Sequence, residues 1–107
     1  MDKRKTKKLV HKNVRRYIEE LNKRDIKIEQ AYIFGSYVKG TATKWSDIDV
    51  ALLTDRFLGD SFDFKFLLMK VARDIDPDIE PHPYLITEFN KENPMASEVI
   101  KTGIRVY

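Results

Sequence analysis

Asp47 and Asp49 flank the first residue of the apolar run Ile48 to Leu53, and the pair Gly35-Ser36, separated from Asp47 by ten residues, closes another apolar run, Ala31 to Phe34. If both runs are strands, residues i and i+2 project to one side, so the two carboxylates crowd together while Ile48 and Val50 enter the core. Crowded carboxylates repel unless a cation neutralises them. Hard oxygen ligands of this kind suit Mg²⁺, which typically takes one or two protein carboxylates together with substrate phosphates. A pair of such ions about 3.5–4 Å apart can hold the attacking and leaving oxygens of an in-line displacement. Gly35 lets the backbone turn sharply and approach a ligand with no Cβ in the way. A helical turn begun by Ser36 offers unpaired N–H groups, helped by the hydroxyl, to an anionic phosphate. Taken together these residues describe a phosphate-transfer site. A shuffled chain with the same four Gly, four Ser and ten Asp would show the spaced pattern with odds on the order of one in a thousand. Either half alone would read as a strand-ending turn or as surface carboxylates.

The elements that must hold these residues are legible from periodicity. Between Thr6 and Lys23 the apolar residues Leu9, Val10, Val14, Tyr17, Ile18 and Leu21 draw one stripe on a helix whose other face is Lys and Arg. Ala31 to Phe34 and Ile48 to Leu53 are short and almost wholly apolar, as buried strands are. Ser36 to Gly40 fits one helical turn, and Thr41 to Ser46 a polar loop. A second amphipathic helix is expected from Ser61 to Ile75, with Ser61 as its N-cap and Pro77 beyond its end. Ile79 to Ile86 reads as a third strand. Pro81 and Pro83 both lack an N–H on the same side of it, which places it at a sheet edge. Asn93-Pro94 starts a last helix, stopped after Thr102 by Gly103. The order describes a compact α/β (α+β) domain, a single unit over residues 1–107, with helices packed on a three-stranded sheet, which the family resemblance described below implies is mixed.

Composition narrows the class. The chain has 107 residues and no cysteine, which excludes disulfides, thiolate zinc sites and cysteine nucleophiles and suits a reducing cytoplasm. No apolar run is long enough for a bilayer span or a signal peptide, so a cytoplasmic protein without a membrane partner is expected. The net charge of +3 hides an asymmetry: residues 1–24 carry ten Lys/Arg against three Asp/Glu, and the remainder ten against fourteen. A basic segment preceding an acidic body is either a solvated helix face or a docking face for nucleic acid or an acidic partner.

Gly35-Ser36, ten residues, Asp47-Ile48-Asp49 resembles the signature of the nucleotidyltransferase superfamily that includes DNA polymerase beta, and specifically its minimal members, the MNT domains. The resemblance extends over nearly the whole chain. It implies a nucleotidyltransferase fold and transfer of a nucleoside monophosphate, AMP from ATP, to an acceptor hydroxyl, with Mg²⁺ and release of pyrophosphate. It further implies that Gly35 and Ser36 bind the nucleotide and that Asp47 and Asp49 are catalytic and hold two metal ions. The family adds a third carboxylate on the third strand, for which Asp76, Asp78 and Glu80 are candidates. Glu80 is the expected one, to complete the metal site and polarise the acceptor hydroxyl, with Asp78 in reserve. A glutamate departs from the commoner aspartate by one methylene. His82 shares the Glu80 face but reads first as a packed or surface residue. Lys39 and Lys44 lie in the phosphate loop within reach of a triphosphate, although solvated loop lysines are the ordinary case, and Trp45 reads equally as a ring that stacks on a base or as a cover for the loop. Phe64 fits the helix stripe better than an aromatic box with Phe62 and Phe66.

MNT domains of this size resemble antitoxins whose partner is a helical HEPN toxin, and the resemblance implies adenylylation of a tyrosine on that toxin. The basic first helix and the segment Ile104 to Tyr107 are the candidate docking surfaces, and self-association is a further expectation. Two competing readings stand beside the enzyme. One is a non-catalytic antitoxin that neutralises its partner by steric occupation; the other is nucleotidyl transfer to RNA or a small molecule, to which only the basic helix points.

Overall fold

The computed structural model describes residues 6–107. Thr6 caps the first helix, α1 (Lys7–Lys23), its hydroxyl accepting from the Leu9 N–H. The part of the basic segment that precedes Thr6 lies outside the described residues. β1 (Gln30–Phe34) is followed by the one-turn α2 (Ser36–Lys39), β2 (Ile48–Thr54), α3 (Ser61–Ile75), β3 (Ile79–Leu85), a 3₁₀ turn at Ile86–Glu88, α4 (Pro94–Thr102) and β4 (Ile104–Arg105). Asp60, rather than Ser61, caps α3, accepting from the Asp63 N–H at 2.8 Å. A carboxylate and a hydroxyl serve equally well as caps, and two adjacent candidates cannot be ranked from residue type. β3 stops at Leu85, and Ile86 already belongs to the 3₁₀ turn.

The sheet has four strands, ordered β3-β2-β1-β4, where the sequence showed three. β4 is two residues long, too short to display alternation. It is held by antiparallel pairing of Arg105 with Tyr32 and of Ile104 with Ile33. The candidate docking segment Ile104 to Tyr107 therefore begins as a strand of the sheet, and its backbone is further tied by Val106 N–H to the Ala31 carbonyl at 2.9 Å. β1 and β2 are antiparallel, β2 and β3 parallel, so the sheet is mixed.

β3 lies at the edge, as Pro81 and Pro83 require. The register shows why. Ile48 N–H donates to the Asp78 carbonyl at 2.7 Å, and Ile48 pairs with Ile79. In a parallel ladder this turns the backbone of Glu80, His82 and Tyr84 toward β2 and that of Pro81 and Pro83 outward. The open edge thus offers carbonyls at both prolines and no N–H, which blunts it against strand addition.

The two sheet faces differ in what covers them. Ala31, Ile33, Ile48, Val50, Leu52 and Ile79 pack under α1 and α3, whose stripes Val10, Val14, Tyr17, Ile18, Leu21 and Phe64, Leu68, Val71, Ala72 are buried. Leu9, expected in the α1 stripe, stays exposed. The opposite face carries Ala51 and Leu53 against Val99 of α4, ringed by Tyr32, Phe34, Tyr84 and Phe89. Phe64 is buried and stacks on Phe57 at 5.2 Å, while Phe62 and Phe66 remain exposed. No helix among the described residues is long and apolar enough to cross a membrane.

Tyr17 joins α1 to α3 through a buried hydrogen bond from its hydroxyl to the Leu68 carbonyl at 2.7 Å. Burial pushes that phenol far above its ordinary range, so the group is a neutral donor at every accessible pH. Tyr17→Phe is expected to cost about 1–2 kcal/mol, read as a lower midpoint in urea with an unchanged m-value. An unchanged midpoint would show that the bond contributes nothing net.

Candidate active site

Gly35 ends β1 with φ +80 and ψ −150, a backbone open essentially to glycine alone. A Cβ built there would collide with the Asp49 carboxylate oxygen Oδ2. The antiparallel register pairs Phe34 with Asp49, so the turn at Gly35 folds directly over that side chain. The Gly35 carbonyl then accepts from Val38 and Lys39 N–H at 3.1 and 3.0 Å, closing the single turn of α2 with Ser36 at its head.

On the other side of Asp49 lies β3. Parallel pairing sets Asp49 opposite Glu80 and Ala51 opposite His82, all on the face away from α1 and α3. His82 Nε2 sits 3.1 Å from Asp49 Oδ1, and its ring stands edge-on to Phe34 at 5.1 Å. One carboxylate is thereby held between the Gly35 backbone and the His82 imidazole. His82 was legible as a neighbour of Glu80 by strand parity, but its contact with Asp49 comes from the register of β3 on β2.

Asp47 lies just ahead of β2 rather than in it and is exposed, whereas Asp49 is half-buried. Partial desolvation, with the charges of Glu80, Asp49 and Asp78, holds the Asp47 carboxyl above the ordinary carboxylate range, and His82 opposes the shift. Glu80 itself faces Lys65 of α3 across 3.6 Å. Asp78 precedes β3, where its N–H donates to Asp76 Oδ1 at 3.0 Å. Asp76 is buried and accepts from Asn13 Nδ2 at 2.9 Å, a structural role that separates it from the site. Of the loop lysines, Lys39 pairs with Glu98 at 2.7 Å, and Lys44 lies over the exposed Trp45 ring at 4.8 Å.

Among the described residues no three His, Asp or Glu side chains converge into a ready-made metal cage. The donor set is instead an open pair of carboxylates beside a glycine turn. That is the chemistry Mg²⁺ accepts when substrate phosphates complete its shell, so Asp47 and Asp49 fit the ion the motif implies.

The raised Asp47 pKa has a consequence for stability. The folded state keeps the Asp47 proton longer than the unfolded chain, so stability falls as pH rises above the ordinary value near 3.8, and the full penalty is present at neutral pH. Asp47→Asn is expected to raise the melting temperature at pH 7 by roughly 1–3 °C, a gain that vanishes in acid once both states are protonated. Adding Mg²⁺ should raise the melting temperature of the unmodified chain more than that of the variant. A variant less stable at pH 7 would contradict the crowding of charge.

The model of the polymerase beta nucleotidyltransferase family matches residues 16–107. Several solved structures share the fold. A candidate nucleotidyltransferase of Sulfolobus solfataricus aligns at 21% identity and TM-score 0.62, over 90% of this chain and 78% of that one. A toxin-antitoxin structure with AMP-PNP aligns at 23% identity and TM-score 0.63, over 91% and 72%. A mutant of the toxin-antitoxin MntA-HpeT aligns at 25% identity and TM-score 0.59, over 88% and 71%. No curated protein matches the sequence. A family match that takes in every strand of the sheet, the Gly35 turn and both aspartates identifies the chain as a member of the polymerase beta nucleotidyltransferase family.

Proposed function

We infer that this chain is a Mg²⁺-dependent nucleotidyltransferase that moves AMP from ATP to a tyrosine hydroxyl of a HEPN-type toxin, for which it acts as antitoxin. The observation that carries the reading is the Asp49 carboxylate held between Gly35 and His82, with Asp47 beside it. The similar structures that contain a toxin-antitoxin pair, one of them with AMP-PNP, support a toxin partner and a nucleotide ligand. The absence of cysteine accords with a cytoplasmic setting.

In this reading Gly35 and Ser36 receive the triphosphate, because the missing Cβ lets the Asp49 carboxylate close against the turn that Ser36 heads. Asp47 and Asp49 hold the metal. Bound Mg²⁺ supplies charge neutralisation for the phosphates and lowers the cost of forming an alkoxide. Glu80, on the same face as Asp49, accepts the proton of the attacking hydroxyl. The hydroxyl oxygen bonds to the α-phosphorus, and the bridging Pα–O bond breaks, its electron pair leaving with pyrophosphate.

The test incubates the chain with α-labelled ATP, Mg²⁺ and a HEPN-type helical protein. Label on a tyrosine of the HEPN-type protein is the expected result. Label on RNA alone would move the acceptor to nucleic acid. A second reading has its own observation: Glu80 is engaged by Lys65, and among the described residues no third acidic side chain joins Asp47 and Asp49 in a metal-holding cluster. This favours an idle site on an antitoxin that works by occupation. Neutralisation of the partner in the absence of ATP would support it.

A further inference from the structure

α3 spends one side on the core and leaves another uncovered. Phe64, Leu68, Val71 and Ala72 are buried, whereas Phe62, Asp63, Phe66, Lys70 and Arg73 are exposed. At the helical period Phe62, Phe66, Lys70 and Arg73 fall within about 80° of one another. They form one stripe, with half-buried Met69 on one flank and Asp63 on the other. Phe62 is 79% exposed and Phe66 52%. Scattered apolar residues are ordinary on a surface, but two aromatic rings one turn apart on an open helix face mark a contact.

The charge pattern along the stripe selects its occupant. The N-terminal end is acidic, with Asp60 and Asp63, and the C-terminal end basic, with Lys70 and Arg73. That order suits the helix dipole, which explains the charges but not the phenylalanines between them. Among the described residues, Asp63, Lys70 and Arg73 make no ion pair within the chain. A nucleic-acid backbone or an anionic membrane would meet two carboxylates beside Phe62, so neither fits the whole stripe.

A second α3 laid antiparallel does fit. Asp63 lies three residues before Phe66 and Lys70 four after it, so a twofold axis beside Phe66 sets Asp63 of each copy against Lys70 of the other. In the same register Asp60 falls toward Arg73, the two Phe66 rings meet across the axis, and each Phe62 lies over Met69 and the alkyl stem of Arg73. Rings and charges are satisfied by one alignment. We propose that the exposed face of α3 is a homodimer surface, on which two copies of this chain pack antiparallel through Phe62 and Phe66. α3 has 15 residues. One face of a helix about 22 Å long buries less than the roughly 800 Å² per partner of a standard interface, so the dissociation constant is on the order of 10–100 µM. Asp49 shares the sheet face of Ala51, which points away from α1 and α3, so the dimer leaves the carboxylates of both copies open.

The test is sedimentation equilibrium of the full chain, at concentrations from about tenfold below that constant to tenfold above it. A monomer–dimer equilibrium is expected. Phe66→Glu sets like charges together at the axis and should raise the dissociation constant at least about tenfold. Asp63→Lys and Lys70→Asp should each weaken self-association by about tenfold, and the two changes combined in one chain should restore it, because every pair across the axis is again opposite in sign. The combined variant keeps the net charge of the unmodified chain, so its recovery reports the pairing itself. A chain that stays monomeric throughout, a Phe66→Glu variant that dimerises as tightly, or a combined variant as weak as its single parents would each overturn the proposal. So would a monomeric chain that binds single-stranded RNA or anionic vesicles and loses that binding in Phe66→Glu, since the face would then serve another occupant.

Discussion

Changing Asp47 and Asp49 together to Ala is expected to lower nucleotidyl transfer at least about a thousandfold, with the fold intact. In the proposed site no other pair of side chains among the described residues offers two oxygen donors beside the Gly35 turn. Glu80 is turned toward Lys65, and Asp76 is buried in its own hydrogen bonds. Asp49→Ala alone should account for most of the loss, because it also removes the partner of His82 Nε2. The melting temperature should stay the same or rise, since the change removes charges that repel one another around Asp47. Label transfer from ATP, measured alongside a thermal scan, separates a chemical from a structural cause. Undiminished labelling by the double variant would end the case for these carboxylates as the catalytic pair, whereas lost labelling with neutralisation retained would favour an antitoxin acting by occupation.

Gly35→Ala is expected to damage stability and activity together. At φ +80 and ψ −150 any L side chain is strained, at a cost of about 1–3 kcal/mol. The added Cβ would also meet the Asp49 carboxylate, which must shift away from the turn or push β1 from β2. We expect the melting temperature to fall by roughly 5–15 °C. Transfer should fall by about a hundredfold in the molecules that remain folded, because a displacement near 1 Å is enough to spoil an aligned displacement. The comparison that decides is Gly40→Ala, where φ is +79 but no atom lies near the new Cβ. Gly40 sits at ψ 15 in the αL region, which costs an alanine less than the Gly35 region does, so the two stability losses are expected to differ, while an activity loss per folded molecule confined to Gly35→Ala points to the displaced Asp49 carboxylate. Equal activity in the two would mean that the close approach has no catalytic use.

Much of this protein is written in local pattern. The stripe from Val10 to Leu21, the buried β2 run and the Asn93-Pro94 helix start each depend on residues close in sequence, and periodicity reports them directly. The edge position of β3 was legible for the same reason, because a proline's missing N–H is a property of the residue itself. Gly35, Ser36, Asp47 and Asp49 stood out because the glycine turn and the carboxylates must each occupy a fixed place at the end of a strand.

Other features exist only once strands are paired. Two-residue β4 carries no period and is a strand solely because β1 offers it a ladder. The contact of His82 with Asp49 and the turning of Glu80 toward Lys65 follow from the register of β3 on β2 and the placement of α3, which join residues far apart in the chain. Local residue types favour the elements, because backbone dihedrals and side-chain period are set within a few residues. Which carboxylate meets which cation was decided by packing across the sheet, since those distances are set by contacts that no short window of sequence contains.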